Sequence, residues 1–191
     1  NQRADLVHKV GEIKKAEGLQ IYAPEREHAL LAKLVGMSKG RLPEKSIRAI
    51  YREIMSAALS LEDGLKIAYL GPEGTWTHQA AIKKFGHSVD YTPLPNFAEV
   101  FDEVARRRAD YGVVPIENST EGAVSHTLDL FVDSPLRICA QILLRIENSL
   151  LSAIPREDIK TFYSHPQVFG QCKNWILRNF PKADLVEVSS T

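Results

Sequence analysis

The chain has 191 residues, 44% of them hydrophobic, and its 24 basic residues balance its 24 acidic ones. This composition is typical of one large or two small globular domains, and the zero net charge gives no sign of a nucleic acid or a membrane surface as partner. No stretch approaches the roughly 20 apolar residues of a membrane span. The two cysteines argue for a reducing compartment and against a disulfide framework or a zinc site, so we expect a cytoplasmic protein without a bound metal.

The first third of the chain is predicted to be helical. Apolar residues at a 3.6-residue period predict a first helix that Gly18 ends, while Pro24 and Pro43 each stand at the start of a further helix. Asp63 and Gly64 are typical of a helix C-terminus. A strand-like segment follows at once, so we expect almost no linker.

The rest of the chain alternates between strand and helix patterns, with strands predicted near 65–70, 89–92, 111–116, 137–147, 159–163 and 184–188. Helices are predicted near 76–85, 97–108, 123–132 and 167–179. Asn96 is a plausible N-cap for the second of these, and Arg106, Arg107 and Arg108 would end it as cations at the negative end of the helix dipole. The alternation predicts a largely parallel sheet covered by helices.

A polar cluster follows the predicted strand 111–116. Asn118 and Ser119 stand between this apolar run and a helix predicted to begin near Ala123. In open α/β sheets, ligands bind where strand ends and helix N-termini meet, because the helix N–H groups attract anions. The alternative is an ordinary corner in which these side chains serve only the turn.

Four ionisable residues lie on apolar faces of the predicted helices. Arg3 and Lys14 point within ~20° of each other and lie ~16 Å apart on the first helix. Glu27 and Glu62 continue the apolar stripes of the second and third helices. Any one of these long side chains could extend to water from a helix end. Four together favour a ligand, because inward charges are costly without a partner.

Three motifs resemble the signatures of prephenate dehydratases: residues 70–81 (LGPEGTWTHQAA), 111–122 (YGVVPIENSTEG) and 163–167 (YSHPQ). The segment before them resembles the last helices of an all-helical chorismate mutase. As a whole, the chain is similar to bacterial bifunctional P-proteins, in which chorismate mutase is fused to prephenate dehydratase. The resemblance implies a helical mutase domain over 1–63 and an α/β dehydratase domain over 65–191. The latter would have two lobes, like type 2 periplasmic binding proteins.

The resemblance also implies a mutase site that needs no cofactor. Chorismate rearranges to prephenate through a pericyclic transition state, so the site has only to hold two carboxylates and stabilise charge on the breaking ether oxygen. Arg3 would grip a carboxylate, while Lys14 and a protonated Glu62 would donate to the ether oxygen. Glu27 would accept from the ring hydroxyl, and Arg26 would orient Glu27 or the substrate.

For the dehydratase, the resemblance implies that Asn118, Ser164 and Gln171 contact the substrate or support catalysis, with Ser119 and Thr75 binding it. The loop before Thr75 has N–H groups suited to a carboxylate, although a helix N-cap is the alternative for this threonine. Ser164 is predicted to cap the helix that follows it.

The resemblance leaves parts unaccounted for. Relatives usually carry a further substrate-binding arginine on an N-terminal extension of the first helix, contributed across a dimer interface. They also carry a Thr-Arg-Phe motif and a phenylalanine-binding ACT domain beyond the point that corresponds to residue 191. We therefore expect an incomplete second lobe, a fragment without dehydratase activity, and a homodimer or higher homo-oligomer. Two alternatives are a non-catalytic module that binds a carboxylate ligand, with the helices serving dimerisation, and a chorismate or prephenate sensor.

Overall fold

The computed structural model describes residues 2–18, 22–118 and 122–188. The chain divides into two compact units, one formed by Asn1–Ile116 with Val124–Leu144 and the other by Glu117–Ala123 with Arg145–Thr191. The first unit therefore contains both the N-terminal helices and the first part of the α/β fold. No described helix is both long and apolar enough to span a bilayer.

The first unit begins with three helices: α1 (Gln2–Ala16), α2 (Pro24–Met37) and α3 (Glu44–Asp63). Their ends follow the predicted signals, with a proline opening α2 and Gly64 closing α3 in the left-handed conformation at φ 64°. Helix α1 packs on α3 at Gly11, where an added Cβ would lie 3.1 Å from the Glu62 backbone. This close approach brings side chains of α1 within reach of the C-terminal part of α3.

The α/β part of the first unit follows after two residues. Strands β1 (Lys66–Leu70), β2 (Asp90–Leu94) and β3 (Tyr111–Val113) form a parallel sheet in the order β2-β1-β3. Helices α4 (Trp76–Phe85), α5 (Phe97–Ala105) and α6 (Ser125–Val132) follow the three strands. The predicted parallel sheet with covering helices is therefore confirmed for this unit.

Strand β1 is buried on both faces, and each face contacts a different helix. Ile67 and Tyr69 pack with Phe85 of α4 and with Tyr22, which precedes α2. Ala68, on the opposite face, packs with Val100 of α5. The N-terminal helices thus share one hydrophobic core with the sheet, because Tyr22 is 3% exposed within it.

The second unit holds a hairpin of two antiparallel strands with two residues each, β4 (Glu117–Asn118) and β5 (Gly122–Ala123). It also holds a parallel pair, β6 (Thr161–Ser164) with β7 (Asp184–Glu187), connected by α7 (Pro166–Asn179). A short 3-10 helix at Arg156–Asp158 precedes β6.

Four sequence predictions are wrong in detail. The apolar segment 137–147 forms no strand, because none of its backbone pairs in a sheet. Glu117 and Asn118, at the start of the polar cluster after β3, pair with Ala123 and Gly122 rather than leading directly into a helix, so α6 begins two residues later than predicted. The N-cap of α7 is His165 rather than Ser164. Helix α5 ends at Ala105, before the three arginines.

Candidate functional site

The C-terminal parts of α1 and α3 hold a buried ion pair. Lys14 Nζ lies 2.7 Å from Glu62 Oε2, and the two side chains are 16% and 9% exposed. This placement confirms that both ionisable residues face inward. In this state Glu62 accepts a hydrogen bond from the ammonium at Oε2, so it can donate to a substrate oxygen only if the carboxylate takes up a proton.

The two predicted arginines of the helices are exposed. Arg3 donates from Nη1 to the carbonyl of Ile54 at 3.2 Å, which holds it beside the middle of α3. Arg26 lies on the exposed side of α2. The expectation that Arg3 points inward is therefore wrong for this chain, because its guanidinium reaches the solvent at the edge of α1 and α3.

A second buried ion pair joins α2 to α3. Glu27 Oε1 lies 3.0 Å from Arg52 Nη1, with side chains 10% and 22% exposed. The hydroxyl of Tyr22 is buried beside this pair and has no hydrogen-bond partner among the described residues. Burial, and next to it the negative charge of Glu27, raises the pKa of Tyr22 well above its ordinary value.

Helix α3 also contacts the start of the α/β fold. Glu53 accepts from the backbone N–H of His87 at 3.1 Å and lies 3.0 Å from its ring Nδ1, and Ser56 Oγ accepts from the N–H of Ser88 at 3.0 Å. Burial alone would raise the pKa of Glu53, but the hydrogen bonds from the His87 ring and backbone outweigh it and lower the pKa. The segment between α4 and β2 is therefore fixed on α3 by charge and hydrogen bonds.

The loop before α4 is closed by its own hydrogen bonds. Thr75 Oγ1 donates to the carbonyl of Leu70 at 3.2 Å and accepts from the N–H of His78 at 3.3 Å. The N–H of Gly74 donates to His78 Nδ1 at 3.0 Å, which leaves the ring proton on Nε2. Thr75 is thus the N-cap of α4, the alternative stated for it above. Its predicted substrate contact stays a prediction and would have to compete with these bonds.

Asn118 lies in the hairpin, where it pairs with Gly122 across the two strands. Gly122 has φ 81°, a conformation that favours glycine at this turn. Ser119, the other predicted binding residue of the motif, lies outside the described residues.

Ser164 and Gln171 belong to the second unit, at the end of β6 and in α7. Ser164 is buried and lines an open pocket of ≈ 850 Å³ whose apolar walls include Phe162 and Ile176. Gln171 accepts from Asn148 Nδ2 at 2.9 Å, and Asn148 is part of the same wall. The structure thus places both predicted residues on or beside one pocket.

Comparison with known proteins decides the family. A family model described as "Prephenate dehydratase" matches residues 67–191, and one described as "Chorismate mutase type II" matches residues 1–63. The chain belongs to the prephenate dehydratase family. Its helical N-terminus and α/β remainder agree with the fold class that the sequence predicted.

Relatives of this chain carry both family names. Proteins called bifunctional chorismate mutase/prephenate dehydratase from Aquifex aeolicus and Escherichia coli are 45% and 30% identical, over 100% and 93% of this chain. The chain covers 54% and 51% of their lengths, so it spans about half of each. The prephenate dehydratase of Arthrobacter aurescens, solved in complex with L-Phe, is 32% identical, with a TM-score of 0.53 over 66% of this chain and 43% of its own. The enzyme from Staphylococcus aureus is 29% identical, with a TM-score of 0.54 over 66% and 48%.

The sequence reasoning missed two residues that lie beside Glu27. It assigned no role to Arg52 or Tyr22, because neither periodicity nor motif spacing links them to Glu27. The available signal was the apolar neighbourhood of Arg52, which lies between Tyr51 and Met55 on α3. A charge in such a stretch needs a partner, and here the partner comes from α2.

Proposed function

We propose that this chain is part of a bifunctional enzyme in which the helices 1–63 convert chorismate to prephenate and the segment 65–191 contributes to the conversion of prephenate to phenylpyruvate. The observation that carries the proposal is the pair of buried ion pairs, Lys14–Glu62 and Arg52–Glu27, in helices that a chorismate mutase model matches. The route makes a precursor of phenylalanine, and we place it in the cytoplasm because the two cysteines are free thiols.

The mutase half of the proposal follows from charge. Removing two ions from water costs more than their attraction returns in many proteins, so a pair such as Lys14–Glu62 contributes little stability. A dicarboxylate substrate would give Lys14 a second role, as a partner of the ligand. Lys14 would leave Glu62 to hold the ligand, a protonated Glu62 would donate to the ether oxygen, and Arg3 at the rim would grip a carboxylate. Glu27 would accept a hydrogen bond from the ring hydroxyl. Arg26, its neighbour in sequence, would orient Glu27 or the substrate.

The dehydratase half needs a proton at the leaving group. Prephenate loses its ring carboxylate as carbon dioxide, and the released electron pair completes the aromatic ring as the hydroxyl departs as water. Asn118, Ser164 and Gln171 are the groups we assign to substrate contact or support, with Thr75 and Ser119 as binding residues. The buried hydroxyl of Ser164 on the wall of an apolar pocket supports this assignment.

We also propose a homodimer or higher homo-oligomer. Apolar side chains of the three helices are exposed in the single chain, which supports a second copy as their partner: Leu6, Val10, Ile13, Leu30, Met37, Ile50 and Leu61. Sedimentation of the chain should give at least twice the 21.4 kDa of one copy. A Leu6→Asp variant should sediment as a monomer, and an unaltered oligomer in that variant would contradict this interface.

The proposal is tested by assaying the intact gene product on chorismate and on prephenate separately. We expect Lys14→Met to abolish chorismate turnover and leave prephenate turnover within about twofold, and Asn118→Ala to do the reverse. Loss of both activities in both variants would contradict two separate sites. Binding of either substrate without turnover by the intact protein would favour the sensor alternative instead.

A further inference from the structure

One arginine links the helices to the α/β fold. Arg52, on α3, points Nη1 at Glu27 Oε1, 3.0 Å away on α2. The same nitrogen donates to the backbone carbonyl of Lys84, in the last turn of α4. Two acceptors from two different elements thus hold one guanidinium.

This arrangement differs from the ion pair one turn earlier on the same helix. Arg48 Nη2 lies 2.7 Å from Glu44 Oε1, but both residues belong to α3 and their side chains are 39% and 57% exposed. Such an exposed pair within one helix contributes little to stability and does not connect α3 to another element. Arg48 is therefore a matched control for Arg52.

The hydrogen bonds around Arg52 are too incomplete for an ion pair whose only role is to stabilise the fold. Its Nε is buried without an acceptor among the described residues, and the neighbouring Tyr22 hydroxyl is also unpaired there. Buried groups of this kind reduce the stability gained from an ion pair, and each requires another explanation. Fixing one carboxylate in one position is such an explanation.

The anchor on α4 makes the position of Glu27 well defined. The last carbonyls of a helix have no partner within the helix and carry its negative end, so they attract a cation. Lys84 itself is constrained, since its ammonium lies 5.7 Å from the centre of the Tyr22 ring. A guanidinium fixed at this carbonyl limits the rotamers that Glu27 can adopt while paired with it.

We infer that Arg52 is a positioning residue of the chorismate rearrangement, which holds the Glu27 carboxylate in place from an anchor on the first helix of the dehydratase segment. The inference rests on the proposed mutase function. Arg52 acts through Glu27 and does not itself contact the substrate. The geometry of the mutase site then depends in part on a helix outside residues 1–63.

The test compares Arg52→Ala, Arg52→Lys and Arg48→Ala in the intact gene product, with kcat and KM measured for chorismate and for prephenate. We expect R52A to lower kcat for chorismate about 10- to 100-fold, because small displacements of a positioned group are costly in rate. KM for chorismate should change far less, and prephenate turnover should stay within about twofold. R52K keeps the charge without the forked donor, so its kcat should be intermediate. R48A should match the wild type.

Two further measurements separate positioning from a structural role. Guanidinium ion at millimolar concentration should restore part of the R52A rate and leave R48A unchanged. In a Glu27→Gln background, R52A should cause no further loss, because the group it positions is already altered. Equal kcat in R52A and R48A, no guanidinium rescue, or a fully additive loss with E27Q would overturn the inference.

Failure of the proposed function is distinguishable, because the wild type would then not consume chorismate at all, and the inference would fall with it. If R52A does not fold, as judged by lost prephenate turnover, R52K decides. A lowered kcat for chorismate with normal prephenate turnover supports the inference, and a wild-type kcat overturns it.

Discussion

Gly86 lies where α4 ends and α3 packs closest to the α/β fold. Its backbone has φ 79° and ψ −169°, and a Cβ added there would lie 2.5 Å from Ser56 Cβ and 2.6 Å from Ser56 Oγ. A Gly86→Ala substitution therefore meets a steric clash, worth about 1–3 kcal/mol, and a backbone conformation that costs alanine about 1–3 kcal/mol more. We expect the free energy of unfolding to fall by about 2–6 kcal/mol, measured by denaturant titration of the tryptophan fluorescence.

A second glycine separates the two contributions. Gly74 has φ 85°, but nothing lies within 4 Å of the Cβ that alanine would add. Gly74→Ala should therefore lose only about 1–2 kcal/mol, the cost of the left-handed backbone. Equal losses in Gly86→Ala and Gly74→Ala would refute the close packing of Ser56 against this turn, and with it the docking of α3 that places Arg52 near α4.

Three further predictions concern single groups. Tyr22→Phe should change stability by no more than about 1 kcal/mol, because the hydroxyl is buried without a partner, whereas Tyr22→Ala should cost about 3–5 kcal/mol in thermal unfolding. Since burial raises the pKa of Tyr22 above its usual 10.0, the folded state keeps the proton longer than the unfolded state, so stability should be full below pH 10.0 and fall above it, less steeply in Tyr22→Phe. The lowered pKa of Glu53 has the opposite sign: its contribution, under about 1 kcal/mol for this half-exposed pair, is present above pH 4.5 and lost as pH falls further, and Glu53→Gln should remove that acid dependence of the melting temperature. If a protonated Glu62 donates to the ether oxygen, the mutase rate of the wild type should fall as pH rises, whereas the rate of Glu62→Gln should not change with pH. The same pH dependence in both proteins would exclude this role for Glu62.

The sequence was sufficient wherever local chemistry decides the structure. Helix α4 was predicted at its observed bounds, because Thr75 caps its start and Gly86 ends it. Asn96 caps α5 as expected, accepting from the N–H of Glu99. Lys14 and Glu62 were predicted to face inward from helical spacing alone, and the structure confirms this.

The sequence was insufficient where the outcome depends on contacts between distant segments. The apolar run 137–147 has the pattern of a strand, but a strand also needs a partner, and periodicity does not supply one. Arg52 has the same residue type and helix as Arg48, and only the placement of Glu27 and the α4 carbonyl distinguishes them. Arg3 was predicted inward from its angle on α1, which says nothing about how far the neighbouring helices extend over it.

The proposed mutase function requires that the ionic groups among these helices hold a dianion. Calorimetric titration of the intact gene product with a bicyclic dicarboxylate that mimics the compact reacting conformer of chorismate measures this directly. The wild type and Arg48→Ala should bind it with equal affinity, and Lys14→Met should bind it at least about 100-fold more weakly, since a buried charge-assisted contact is lost. The same affinity in all three proteins would contradict the claim.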